Sequence, residues 1–145
     1  MTNNIAVDEL QSFLVELTDL ALTGKQAHWN LQGPYFLTRH EQLDTVVADA
    51  RVWSDEVAER IVAIGAPADG RVTTVAEATP LAAFPAGFVA DDKVVGLIVD
   101  RLDTIIERTN ERIRALGEID PVSQDLVIGI QRGLEKHRWM WASQR

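Results

Sequence analysis

Residues 36–64 read FLTRHEQLDTVVADARVWSDEVAERIVAI. Leu43, Val46, Val47, Ala50, Trp53, Val57, Ile61 and Ile64 recur at every third or fourth position along this stretch, the spacing of one apolar face on an α-helix. Gly65-Ala66-Pro67 ends it, because Pro has no N–H to donate and drives the residue before it out of the helical region. A second set, His40, Asp44, Asp55 and Glu59, falls within an arc of about 100° on another side of the same helix. Ala48, Val52 and Val62 share that arc with Arg51. An arc of that mixed, semi-apolar kind suits a partner surface, whereas the face around Asp49, Glu56 and Arg60 reads as plainly solvated.

Upstream, Leu10, Phe13, Leu14, Leu17, Leu20 and Ala21 carry the same period through a first helix from about Val7 to Leu31, stopped by Gly33-Pro34. Gly24 lies inside it, where glycine costs about 1 kcal/mol relative to alanine. Downstream, residues 68–90 hold Gly70, Pro80, Pro85 and Gly87, with Thr73-Thr74 as a start signal before Val75-Ala76-Glu77. This predicts a connection containing at most one short helix. Roughly 25 residues are enough to carry the chain back along a bundle, so that the second and third helices run parallel. The third helix is expected from Asp91-Asp92 to Leu116-Gly117, with Val94, Val95, Leu97, Ile98, Leu102, Ile105, Ile106 and Ile113 as its apolar set. Acids suit its N-terminus and Gly117 its C-terminal cap. The fourth opens at Asp120-Pro121, with Pro at the favoured first position, and runs to about Trp141. The expected architecture is all-α: one domain over residues 1–145, a four-helix bundle with a single long crossover.

The composition narrows the chemistry. The 145 residues include no cysteine, so thiol nucleophiles, CxxC redox motifs and cysteine-held metal sites are excluded. Twenty-two acidic against 14 basic residues give a net charge of −8, and no Lys or Arg precedes Lys25. Attachment to nucleic acid or to an anionic membrane draws on Lys and Arg and is disfavoured, whereas cations are attracted. No apolar run approaches the roughly 20 residues that span a bilayer, and no leader pattern opens the chain. A soluble, cytoplasmic protein is expected.

Taken singly, Asp44, Asp55 and Glu59 are ordinary exposed helix acids. As a set they suggest metal ligation, and distance then decides how they can cooperate. At about 1.5 Å of rise per residue, Asp44 and Asp55 stand about 16 Å apart along the axis, far beyond the roughly 2–2.6 Å bonds by which one ion is held. A single chain cannot close the site from this helix. Two copies packed antiparallel about a two-fold axis would bring the His40/Asp44 end of one against the Asp55/Glu59 end of the other, and His28 could join from the end of the first helix. Two imidazoles and three carboxylates suit Fe(II), Zn(II) or Mn(II), with two such sites per dimer. The Glu-x-x-His signature of an intrachain di-iron bundle is absent, because no acid lies three residues before His28, His40 or His137.

The run Ala27-His28-Trp29-Asn30 with Gly33 and Phe36, then His40-Glu41 and Leu43-Asp44, then Asp55 with Glu59-Arg60, then Ile64-Gly65, resembles the Dps family of bacterial miniferritins. The likeness continues to Leu134-Glu135-Lys136 and Trp139. It implies a ferritin-like bundle assembled as a hollow dodecamer, with ferroxidase centres at the two-fold interfaces. His28, His40 and Asp44 would come from one subunit, Asp55 and Glu59 from its mate. The implied activity is oxidation of Fe(II), preferentially by hydrogen peroxide, and storage of ferric mineral as protection against oxidative damage. Trp29 would line the centre, with an interface or core tryptophan as the other reading, and Trp53, Trp139 and Trp141 are assigned to packing. Asp120 and Asp125 fall where the family builds an acidic iron-admitting pore, although acids there also stabilise a helix N-terminus. Many Dps proteins bind DNA through a basic tail. Residues 1–9 carry no basic residue and Ser143-Gln144-Arg145 only one, so DNA binding is doubtful, and DNA compaction stands as the alternative role.

Overall fold

The computed structural model describes residues 4–145, so residues 1–3 of the expected domain lie outside the described residues. Among the described residues the helices are α1 (Asn4–Asn30), α2 (Phe36–Ala63), α3 (Val72–Ala78), α4 (Asp91–Leu116) and α5 (Pro121–Ala142). The four long ones follow the apolar periods, and α3 is the short helix of the crossover. Side-chain bonds between helices fix their directions. Arg101 pairs with Asp19 and Arg112 with Glu16, so α4 runs antiparallel to α1 and therefore parallel to α2. On the other side, Arg138 meets Asp103 while Gln124 donates to the Ile113 carbonyl, which sets α5 antiparallel to α4.

Leu10, Phe13 and Leu17 of α1, Leu43 and Val46 of α2, Ile98, Leu102 and Ile105 of α4, and Val127, Leu134 and Trp141 of α5 are fully buried between the helices. Gly24 does not break α1. A Cβ there would stand 2.6 Å from Val47 Cγ2, so the glycine permits close approach of α1 and α2, which offsets its poor helix propensity. The crossover is tied down by polar contacts: Gln11 donates to the Asp69 carbonyl and accepts from the Asp69 N–H, and Arg101 donates to the Ala82 carbonyl.

Hydrophobic periodicity did not indicate two short strands, β1 (Leu31–Gln32) and β2 (Val89–Ala90), which pair in parallel, Leu31 opposite Val89. Two residues are too few to show an alternating pattern. Their effect is to fasten the α1–α2 corner to the start of α4.

Candidate metal centre

His28 closes the last turn of α1 and His40 the second turn of α2, and the corner between them folds the rings face to face, with centroids 3.5 Å apart and planes 12° from parallel. Phe36 stacks on the outer side of His40 at 4.9 Å. Each imidazole bonds the other's backbone: His28 Nδ1 lies 2.6 Å from the His40 carbonyl oxygen, and His40 Nδ1 lies 2.7 Å from that of His28. A carbonyl only accepts, so Nδ1 carries the proton in both rings, and in each neutral ring Nε2 keeps a free lone pair. Metal-binding imidazoles are oriented by this kind of backbone bond.

Asp44 lies one turn beyond His40, exposed, with Oδ1 3.6 Å from His28 Nδ1. The same oxygen accepts from Lys25 Nζ at 2.5 Å. That hydrogen bond is the main reason the Asp44 carboxyl is held below the ordinary carboxylate range, against a smaller opposing effect of partial desolvation. Lys25 escaped the sequence reading, although its position three residues before His28 places both on one face of α1. The Lys25 ammonium group thus occupies a carboxylate oxygen of a candidate metal donor.

Asp55 and Glu59 are exposed farther along α2. Neither carboxylate has a hydrogen-bond or ion-pair partner among the described residues. Glu59 borders an apolar hollow of about 470 Å³ formed with Ala58, Val62, Ala63 and Ala68. Among the described residues no group of three or more His, Asp or Glu side chains closes on a common point. The corner stacks His28 on His40 with Asp44 nearby, short of a three-donor cluster, and leaves Asp55 and Glu59 apart. Leu22, Trp29, Val52 and Val62 on these two helices are each more than half exposed. Trp29, at 66%, belongs to neither core nor corner packing within one chain.

Two expectations change at the other end of α2 and on α5. The face around Asp49 and Arg60 is not simply solvated. Asp49 meets the buried His137 at 2.6 Å, while Arg60 bonds Ser123 Oγ and pairs with Asp120 at 3.0 Å. These polar residues are among the contacts by which α5 lies along α2, and hydrophobic patterning is blind to such pairs. Asp120 is an engaged cap: its carboxylate accepts from the Ser123 N–H and hydroxyl. Desolvation pushes its pKa up, but those bonds and Arg60 outweigh it and hold the carboxyl below its ordinary range. Asp125 is exposed. Of the tryptophans assigned to packing, Trp141 is fully buried and Trp53 partly, but Trp139 is 62% exposed, since it follows the core stripe of α5 by one position too many.

The ferritin-like domain family matches residues 7–145. A DNA protection during starvation protein of Agrobacterium fabrum is 36% identical over 138 residues, covering 90% of this chain and 81% of that protein. The chain belongs to the Dps family. DNA protection during starvation protein 2 of Deinococcus radiodurans is 34% identical over 92% of this chain, which spans only 56% of that Dps protein's length. Dps from Microbacterium arborescens, solved in a high iron form, superposes with a TM-score of 0.93 at 40% identity, covering 99% of this chain and 97% of that one. The ferritin-like bundle, with its short helix in the crossover, is thereby the Dps fold.

Proposed function

We propose that this Dps protein is a ferroxidase and iron store, with its catalytic centre built from two subunits. One subunit supplies His28, His40 and Asp44, and its mate supplies Asp55 and Glu59. The observation that carries the reading is the pair of stacked imidazoles whose Nδ1 protons are bound to backbone carbonyls. It leaves two Nε2 lone pairs one helical turn from Asp44, on a face whose other candidate acids, Asp55 and Glu59, are unpartnered and stand about 16 and 22 Å from Asp44 along the helix. Fe(II) is the substrate. Imidazole and carboxylate donors suit both the ferrous ion and the ferric product. One electron from each of two Fe(II) ions matches the two-electron reduction of one hydrogen peroxide, and the ferric product would be stored inside a hollow dodecamer.

Asp125, free and exposed, is the better of the two acids proposed to admit iron, because Asp120 is held by Arg60 and Ser123. Trp29 is placed beside the shared centre. The unit is one domain over residues 1–145, acting in the cytoplasm. Among the described residues no helix is long and apolar enough to cross a membrane. The relatives' names speak of DNA protection; for this chain we assign protection to removal of Fe(II) and peroxide, since a net charge of −8 opposes attachment to phosphates. Retardation of plasmid DNA in a low-salt gel would contradict that assignment.

Anaerobic Fe(II) titration followed by peroxide tests the whole reading. The wild-type protein should bind Fe(II) saturably and develop ferric absorbance rapidly. Asp55→Ala should lose saturable binding and slow oxidation by about 100-fold or more, removal of a direct ligand exceeding the 10–100-fold typical of outer-shell changes. An Asp55→Ala protein that behaves as wild type would sink the metal reading.

A further inference from the structure

Asp91 and Asp92 open α4 together, and both suit the positive end of a helix dipole. Only one faces water. Asp92 is exposed, whereas Asp91 is 4% exposed and turned towards the α1–α2 corner. There its Oδ2 accepts from the Tyr35 N–H at 2.7 Å and lies 3.4 Å from Arg39 Nη1. Arg39 is itself buried, with its guanidinium over the Tyr35 ring and its Nε donating to Gln144. Tyr35 directly precedes α2 and Arg39 directly precedes His40, so one carboxylate grips the first turn of the helix that carries the second imidazole.

The corner is shaped to receive this carboxylate. Gly33 adopts φ +147°, and a Cβ on it would lie 2.4 Å from Asp91 Oδ1. Conformation and close approach therefore both require glycine there. The β1–β2 pairing brings the start of α4 alongside the same corner. A merely dipole-stabilising acid would need none of these contacts, and Asp92 already supplies that role.

We infer that Asp91 is a positioning residue for the metal centre: by holding the first turn of α2 through Tyr35 and Arg39, it sets the His28–His40 stack and so the direction of both Nε2 lone pairs. The effect on metal binding rests on the function proposed above; the effect on the imidazoles does not.

Co(II), a spectroscopic stand-in for Fe(II), and 15N solid-state NMR of histidine-labelled protein test the two effects separately. In the wild type, the NMR spectrum should show both corner imidazoles as hydrogen-bonded Nδ1–H tautomers. Asp91→Ala should lose that signature and weaken Co(II) binding about 10-fold or more, the range seen when an outer-shell partner of a metal ligand is removed. Asp91→Asn keeps an acceptor for the Tyr35 N–H but no charge facing Arg39. It should retain the tautomers and weaken Co(II) by only about two- to fivefold, a partial rescue that general loss of stability would not produce. Wild-type affinity in Asp91→Asn, or equal losses in both variants, would overturn the inference. Where Asp91→Ala does not assemble, Asp91→Asn alone decides on the same affinity criterion. A wild-type protein that binds no Co(II) saturably would sink the ferroxidase reading and leave the tautomer signature to decide the role of Asp91.

Discussion

At the corner between α1 and α2, Lys25 and Asp44 form an ion pair. The ammonium group stabilises the ionised carboxylate, so Asp44 stays charged at lower pH than an ordinary aspartate. It also competes for the same oxygen. Replacement by Lys25→Met has two consequences of opposite sign. In a 13C NMR titration the Asp44 carboxyl should titrate at higher pH than in the wild type, because the bond that favours its charged form is gone. At neutral pH, Co(II) should bind more tightly, because a competing cation has been removed. The sign of the linkage is that of any depressed carboxyl: the stabilisation is present above the unfolded-state pKa and is lost as pH falls through the folded one. An unmoved Asp44 titration in Lys25→Met would show that the ion pair does not persist in solution. The candidate donors His40, Asp44, Asp55 and Glu59 were legible as a group in the sequence because helical spacing sets them on one arc of α2. Lys25 and Asp91 were not: one is an unremarkable basic residue, and the other is indistinguishable from Asp92 until the chain is folded.

Between α1 and α4 lies a polar pair that helical periodicity also passes over. Glu16 and Arg112 are both fully buried and ion-paired, with Arg108 on the same carboxylate and Ser12 and Thr109 on the guanidinium. Burial raises the Glu16 pKa and lowers that of Arg112, in each case against their mutual attraction. A buried ion pair is weak evidence of net stability, because desolvation of both charges offsets their attraction. Glu16→Ala leaves a buried guanidinium without its carboxylate and should destabilise by about 3–5 kcal/mol, read as a fall in the urea midpoint. The double variant Glu16→Leu/Arg112→Met should recover most of that loss; a double variant as unstable as the single one would show that the pair stabilises on balance. The helices themselves were almost wholly legible, since Gly33-Pro34, Gly65-Ala66-Pro67, Gly117 and Asp120-Pro121 punctuate strong periods. What joins them was not. The contacts Asp49–His137, Arg60–Asp120 and Asp91–Arg39 are long-range polar pairs, and a one-dimensional pattern of hydrophobicity carries no record of which charge meets which.

For the proposed assembly, the separation of the candidate donors along α2 is the decisive quantity. A bundle that carries a complete metal site within one chain would bring three or more donors together, and here the described residues of one chain do not. The exposed face of α1 and α2, with Leu22, Trp29, Val52 and Val62 interleaved among the acids and imidazoles, is what an antiparallel pair of copies would cover. A two-fold interface then yields two equivalent centres, each with donors from both chains. Complementation between defective subunits reads this directly. One variant, His28→Ala/His40→Ala, has lost the imidazole half, and the other, Asp55→Ala/Glu59→Ala, the carboxylate half; each alone should be inactive. Co-assembled at equal amounts with random pairing, half of the dimers are mixed, and each mixed dimer holds one intact centre and one with neither half. Saturable Fe(II) binding and peroxide-driven oxidation should therefore return to about a quarter of the wild-type level. No recovery in verified mixed assemblies would contradict a centre shared between subunits.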